Sequence, residues 1–143
     1  MIICCGEALI DMLPRKTVEG EDAFAPYAGG AVFNTAIALG RLGLPTGFFT
    51  GLSTDMFGDV LRNSLDESGV DHTHCVRLDL HSTVAFVKLT NGQASYAFFD
   101  ENTAGRMITE NQLPHFDGDV QALHFGAISL ISEPCGSTYE ALM

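Results

Sequence analysis

Apolar residues fall along this chain in two recurring patterns, short unbroken runs and stripes at helical spacing. Ile2, Ile3, Cys4 and Cys5 form a run ended by Gly6, which predicts a strand buried on both faces of a parallel sheet. Val32, Phe33, Ala36, Ile37, Leu39 and Leu42 then recur on one helical face, with Gly43 and Pro45 as the stop. Residues 47–52 predict a second buried strand, and residues 56–68 an amphipathic helix closed by Gly69. Strand, helix, strand, helix in that order predicts an α/β fold with a parallel sheet and right-handed crossovers.

Two stretches break the alternation. Residues 17–22 are polar and charged, and residues 24–27 return as an extended, partly apolar piece. Farther on, residues 84–90 and 94–99 are two extended segments joined through Asn91-Gly92, a strong hairpin signal. Ala85, Val87 and Leu89 share one face of that hairpin, and Val84 and Phe86 the other. Both faces are apolar, so one of them should meet a ligand or a partner. Residues 120–125 predict a further buried strand with His124 as a core histidine, and Pro134 opens a helix carrying Tyr139, Leu142 and Met143. No stop signal closes that last helix, so the expectation is that Met143 is not a natural end.

Composition narrows the choice of partner. The chain has 143 residues, 46% of them hydrophobic and 17% charged, which is enough for one well-filled core. A net charge of −11 argues against nucleic acid and anionic membranes as partners, because both require a basic surface. It does not argue against a nucleotide held by backbone amides. Cys4, Cys5, Cys75 and Cys135 lack the spacing of zinc or redox sites and read as buried thiols. With no apolar stretch of membrane-spanning length and no signal-like start, the expected location is the cytoplasm.

The candidate chemistry lies at Ala28-Gly29-Gly30, followed by Asn34, and at Gly51-Leu52-Ser53-Thr54-Asp55-Met56-Phe57-Gly58. Adjacent glycines let backbone approach a ligand, although such pairs also simply make turns. An asparagine in the first turn of a helix offers both a donor and an acceptor, and it can also serve as a local cap. Together with the opening Gly6-Glu7-Ala8-Leu9-Ile10-Asp11, these spaced motifs resemble the amino-terminal signature of the ribokinase-like (PfkB) carbohydrate kinases, most of all the fructokinase branch. Asp100-Glu101-Asn102-Thr103-Ala104 and Leu113-Pro114 extend the resemblance over essentially the whole chain.

The resemblance implies a ribokinase-like core of parallel strands with flanking helices and a small antiparallel β lid. The lid would be formed by inserts at about residues 9–28 and 83–100, and residues 1–143 would be the amino-terminal half of the domain. It also implies a sugar held by Asp11, Gly29, Gly30 and Asn34, with Phe98 or Phe99 as a platform. Glu7 would either join them or tie down the lid loop, while Asp55 and Gly58 would shape the strand-to-helix turn. ATP and Mg2+ are the implied cofactors, with a monovalent cation as a further candidate. A homodimer is implied through the hairpin, with Val87 on the pairing face and the sugar under the other.

The family's carboxyl-terminal Gly-Ala-Gly-Asp type motif, which supplies the base and anion hole, is not in these residues, and neither is a P-loop or a Gly-x-Gly-x-x-Gly. This chain alone is therefore expected to be inactive. His72 and His74 read as a surface pair rather than metal ligands. The rival readings are 2-keto-3-deoxygluconate kinase, ribokinase or nucleoside kinase, and a non-catalytic sugar-binding or interaction module. A sugar acid would need a basic partner, for which Arg106 is the candidate.

Overall fold

The structure is a computed structural model that describes residues 1–91, 93–116 and 118–143; Gly92 of the predicted turn and the Leu89 side chain lie outside the description. Along the chain come β1 (Ile2–Gly6), β2 (Leu9–Lys16), β3 (Asp22–Gly29), α1 (Ala31–Arg41), β4 (Thr46–Phe49) and β5 (Gly51–Ser53). There follow α2 (Met56–Glu67), β6 (Val76–Leu78), β7 (Thr83–Thr90), β8 (Gln93–Phe99), β9 (Ala122–Gly126) and α3 (Cys135–Leu142).

β1 is the centre of a three-stranded parallel sheet in the order β4-β1-β9. Successive side chains of a strand point to opposite faces, and here both faces are covered. Cys4 packs with Val32, Phe33 and Ala36 of α1, Phe48 of β4, and Leu61 and Leu65 of α2. Ile3 and Cys5 face the other way, toward Phe49, Ile108, Cys135 and Tyr139. That two-sided burial is why the strand reads as an unbroken apolar run. Each fully buried Phe or Leu stabilises the sandwich by roughly 1.5–3 kcal/mol. Tyr139 reaches through from α3 to donate its hydroxyl to the Gly6 carbonyl at 3.3 Å.

The predicted strand over 47–52 is two strands. It bends at Thr50, whose carbonyl accepts from the Val76 amide at 2.9 Å; β4 stays with β1, and β5 turns to pair in parallel with β6. A Cβ on Gly51 would collide with the Ala104 backbone, so glycine permits the close passage of that loop. His124 is exposed rather than a core residue, because β9 has a strand neighbour on one side only among the described residues.

A second sheet, in the order β3-β2-β7-β8, stands outside the core. It is mixed, not antiparallel as expected. β2 and β7 pair in parallel, while β2–β3 and β7–β8 are antiparallel. The reason is connectivity: β2 and β7 both leave the core outward, and β3 and β8 each bring the chain back. Asp11 pairs with Tyr27 and Ala85, Ala85 with Phe98, and Val87 with Tyr96, so these residues share one face. Phe24, Phe86 and Phe99 line the opposite face with edge-on ring contacts at 5.1 and 5.6 Å. Val87 therefore lies on the same face as Asp11 and Phe98, against the expectation that put it on the other side, and it is buried within this chain.

Asp55 ties this outer sheet to the core. Its Oδ1 accepts from the Gly58 amide at 2.8 Å and caps α2. The Ser82 amide donates to Oδ2 and the Ser82 hydroxyl to Oδ1, both at 2.8 Å, just before β7 begins. Gly58 has no room for a Cβ against the Ser53 carbonyl, so both residues shape the turn as expected. Burial alone would raise the Asp55 carboxyl, but the hydrogen bonds from Gly58, Ser82 and Ser53 outweigh it and hold the group below its ordinary value. A lowered folded pKa stabilises above the unfolded value of about 3.9 and loses that contribution as pH falls through the folded value. Asp55→Ala is therefore expected to cost about 1–3 kcal/mol in urea unfolding at pH 7. The gap from the wild type should narrow below about pH 4.

Candidate functional site

The carboxyl end of β1 and the start of α1 meet beneath the outer sheet, where open α/β sheets place their ligands. The first N–H groups of a helix have no partner within it, and the cap position here is Gly30, which has no side chain to offer. The partner comes from 24 positions earlier: Glu7 Oε1 accepts from the Ala31 amide at 2.9 Å and the Val32 amide at 3.2 Å. Glu7 is buried, and its Oε2 makes no hydrogen bond among the described residues.

The glycine pair makes room for the two acids. Gly30 has φ of +111°, and a Cβ there would lie 2.8 Å from the Glu7 carbonyl. A Cβ on Gly29 would overlap the Asp11 carboxylate. The two glycines thus differ in role: Gly30 lines a cavity of about 270 Å3, whereas Gly29 sits behind Asp11 and is not part of the wall. The volume is just below the range of about 300–1,000 Å3 usual for drug-sized ligands, which suits a small molecule.

Asp11, Asn34 and Phe98 line the same cavity with Glu7 and Gly30. Asp11 makes no hydrogen bond among the described residues, and burial pushes its carboxyl above the ordinary value. Asn34 is exposed on the first turn of α1, and its side chain caps nothing, because Glu7 already does so. Phe98 is 45% exposed and stacks on Tyr96, with centroids 5.9 Å apart and planes at 17°. Phe99 points to the opposite face of the sheet. The wall therefore combines hydroxyl-binding groups with aromatic faces.

Sequence reasoning missed Leu9, Ala31, Tyr96, Ala127 and Ile128 as parts of the wall. Tyr96 was within reach, since it is two residues from Phe98 and shares its face. Nothing in Gly126-Ala127-Ile128 marks a site, yet Ala127, at φ of 59°, lies just past the end of β9. Arg106 is not in the wall; its Nη1 lies 3.3 Å from Asp100 Oδ2 and its Nε donates to the Glu133 carbonyl at 2.9 Å. His72 meets Asp66 at 2.8 Å, and His74 packs edge-on against Phe116. Burial pushes the Cys4 and Cys135 thiols up to about 11 and that of Cys5 to about 12, which leaves them inert as nucleophiles. Among the described residues no group of three or more His, Cys, Asp and Glu is placed to hold a metal ion.

A family described as pfkB family carbohydrate kinase matches residues 1–143. A fructokinase of Rhizobium leguminosarum bv. trifolii is 66% identical over 143 residues, all of this chain and 44% of that protein. Among solved structures, the fructokinase of Xylella fastidiosa with bound ATP gives a TM-score of 0.86 at 33% identity, covering 96% of this chain and 45% of that one. The fructokinase of Vibrio cholerae O395 in its fructose, ADP and calcium ion bound form gives 0.83 at 26% identity, over 98% and 44%. The chain thus spans less than half the length of these relatives.

Because the Asn34 side chain has no structural partner, Asn34→Leu is expected to leave the melting temperature unchanged or raise it slightly, leucine being the better helix former. A fall of more than about 4 °C, equivalent to roughly 1 kcal/mol, would show that Asn34 supports the fold.

Proposed function

Since the chain belongs to the pfkB family of carbohydrate kinases, we propose that it forms the sugar-binding part of an ATP-dependent fructokinase that transfers the γ-phosphoryl group to a sugar hydroxyl. The observation that carries this reading is the convergence of Asp11 and Asn34, neither hydrogen-bonded through its side chain among the described residues, on a cavity roofed by Phe98 and Tyr96. An ionised Asp11 accepts from sugar hydroxyls through charge-assisted bonds, Asn34 both donates and accepts, and Gly30 lets the ligand approach the backbone. The outer sheet, residues 9–29 and 83–99, acts as the lid.

The commitment of Arg106 to Asp100 and Glu133 favours a neutral ketose over a sugar acid such as 2-keto-3-deoxygluconate. In this proposal ATP, Mg2+ and the catalytic base are held by sequence corresponding to the rest of the relatives' length, so none of the 143 residues is a catalytic residue. The assembly is a cytoplasmic homodimer. Its motive is the hairpin itself: every residue described in β8 is exposed, and Phe99 is 61% exposed, while an uncovered apolar strand invites association.

Two experiments on the full-length protein test the proposal. Asp11→Ala should raise the KM for fructose tenfold or more, from the loss of about 1.5–3 kcal/mol per charged hydrogen bond, with the melting temperature nearly unchanged. Unaltered fructose kinetics, or turnover confined to a sugar acid, would overturn the assignment. In sedimentation velocity, Phe99→Glu should shift a dimer to monomer; a monomeric wild type would refute pairing, and an unaffected dimer would refute pairing through this face.

A further inference from the structure

A helix start is ordinarily an anion site, because its free N–H groups and dipole both favour negative charge. At α1 that position faces the cavity and is filled by the protein's own carboxylate, with Glu7 Oε1 on the Ala31 and Val32 amides. Glu7 is only 7% exposed, and its second oxygen is buried without a hydrogen bond among the described residues. A second carboxylate, Asp11, lies on the same wall, and none of the wall residues is Lys, Arg or His. Arg106, which lines a neighbouring cavity with Glu7, is paired with Asp100, and Arg15 lies over the Tyr27 ring at 5.3 Å with a hydrogen bond to its hydroxyl.

From this geometry we infer that Glu7 is the charge-selecting residue of the sugar site. By occupying the start of α1 with its own carboxylate, it admits neutral sugars and refuses those that present a carboxylate or phosphate there. The inference rests on the sugar-kinase reading above. The cap itself needs no charge, since a glutamine at position 7 would offer the same two amides a neutral oxygen. A buried carboxylate with an idle oxygen is costly to the fold. Its return is the repulsion of anions at a site where burial weakens solvent screening.

The matched probes are D-fructose and 2-keto-D-gluconate, which is fructose with its C1 hydroxymethyl group oxidised to a carboxylate. Calorimetry on the full-length wild type should show a preference for fructose of about a hundredfold or more. Glu7→Gln keeps an oxygen for the two amides and removes the charge. It should narrow that preference at least about tenfold, the acid gaining relative to fructose. A folded Glu7→Gln protein that retains the full preference, or a wild type that binds both sugars alike, overturns the inference. Should Glu7→Gln not fold, Asp11→Asn decides: a largely retained preference assigns it to Glu7, and its loss overturns that assignment. Failure of the wild type to bind any neutral sugar would instead overturn the sugar-site reading beneath it.

Discussion

Two amides at the start of α1 and one carboxylate at the end of β1 hold the site together. The helix cannot cap itself, because Gly30 must pass close to the Glu7 carbonyl at a φ that favours glycine. Glu7 resolves both demands: its backbone sets the approach and its side chain fills the helix start. Asn34, one turn into α1, and Asp11, on the strand that leaves β1, take their places relative to each other through that junction. The contact spans 24 residues of sequence and connects the core to the outer sheet at its root.

Around this junction the outer sheet is fastened at each place where it meets the core. Asp55 holds Ser82 before β7, and the Thr83 and Thr103 hydroxyls bond at 2.8 Å in a buried position. Asp100, just past β8, is held by Arg106 and by the Ser132 hydroxyl at 3.2 Å. A sheet with one face toward a cavity and β8 largely in solvent would be marginal alone. Its stability is borrowed from these polar anchors and from Ile10, Met12 and Val84, which pack into the α1 and α2 core.

Much of this was legible in the residues because period and punctuation agree with the fold. The run at residues 2–5, the stripe from Val32 to Leu39 and the Gly69 stop correspond to observed elements, whereas Leu42 lies past the helix and is exposed. Asp11, Gly30, Asn34 and Phe98 were named through the family resemblance and do share one cavity. What escaped depends on contacts distant in sequence. The bend at Thr50 requires the Val76 amide, and the exposure of His124 follows from its strand having one strand neighbour among the described residues. The parallel β2–β7 pair follows from where two inserts leave the core, and the capping role of Glu7 requires the helix entry to be folded onto it.

The mixed sheet has a mechanical consequence. All four of its strands are rooted at the same end, with Leu9 beside Gly29 and Thr83, and Val84 beside Phe99. Four crossings in a row define a hinge line, and a plate on such a line can swing but can hardly twist. At about 3.3 Å per residue, Asp11 lies roughly 7 Å beyond that line and Lys16 roughly 23 Å. A swing that carries the tip through about 6 Å therefore displaces Asp11, and Phe98 at the same level, by less than about 2 Å. For any such swing, residues near the axle would keep almost the same distance from the core, and the displacement would fall on the far edge.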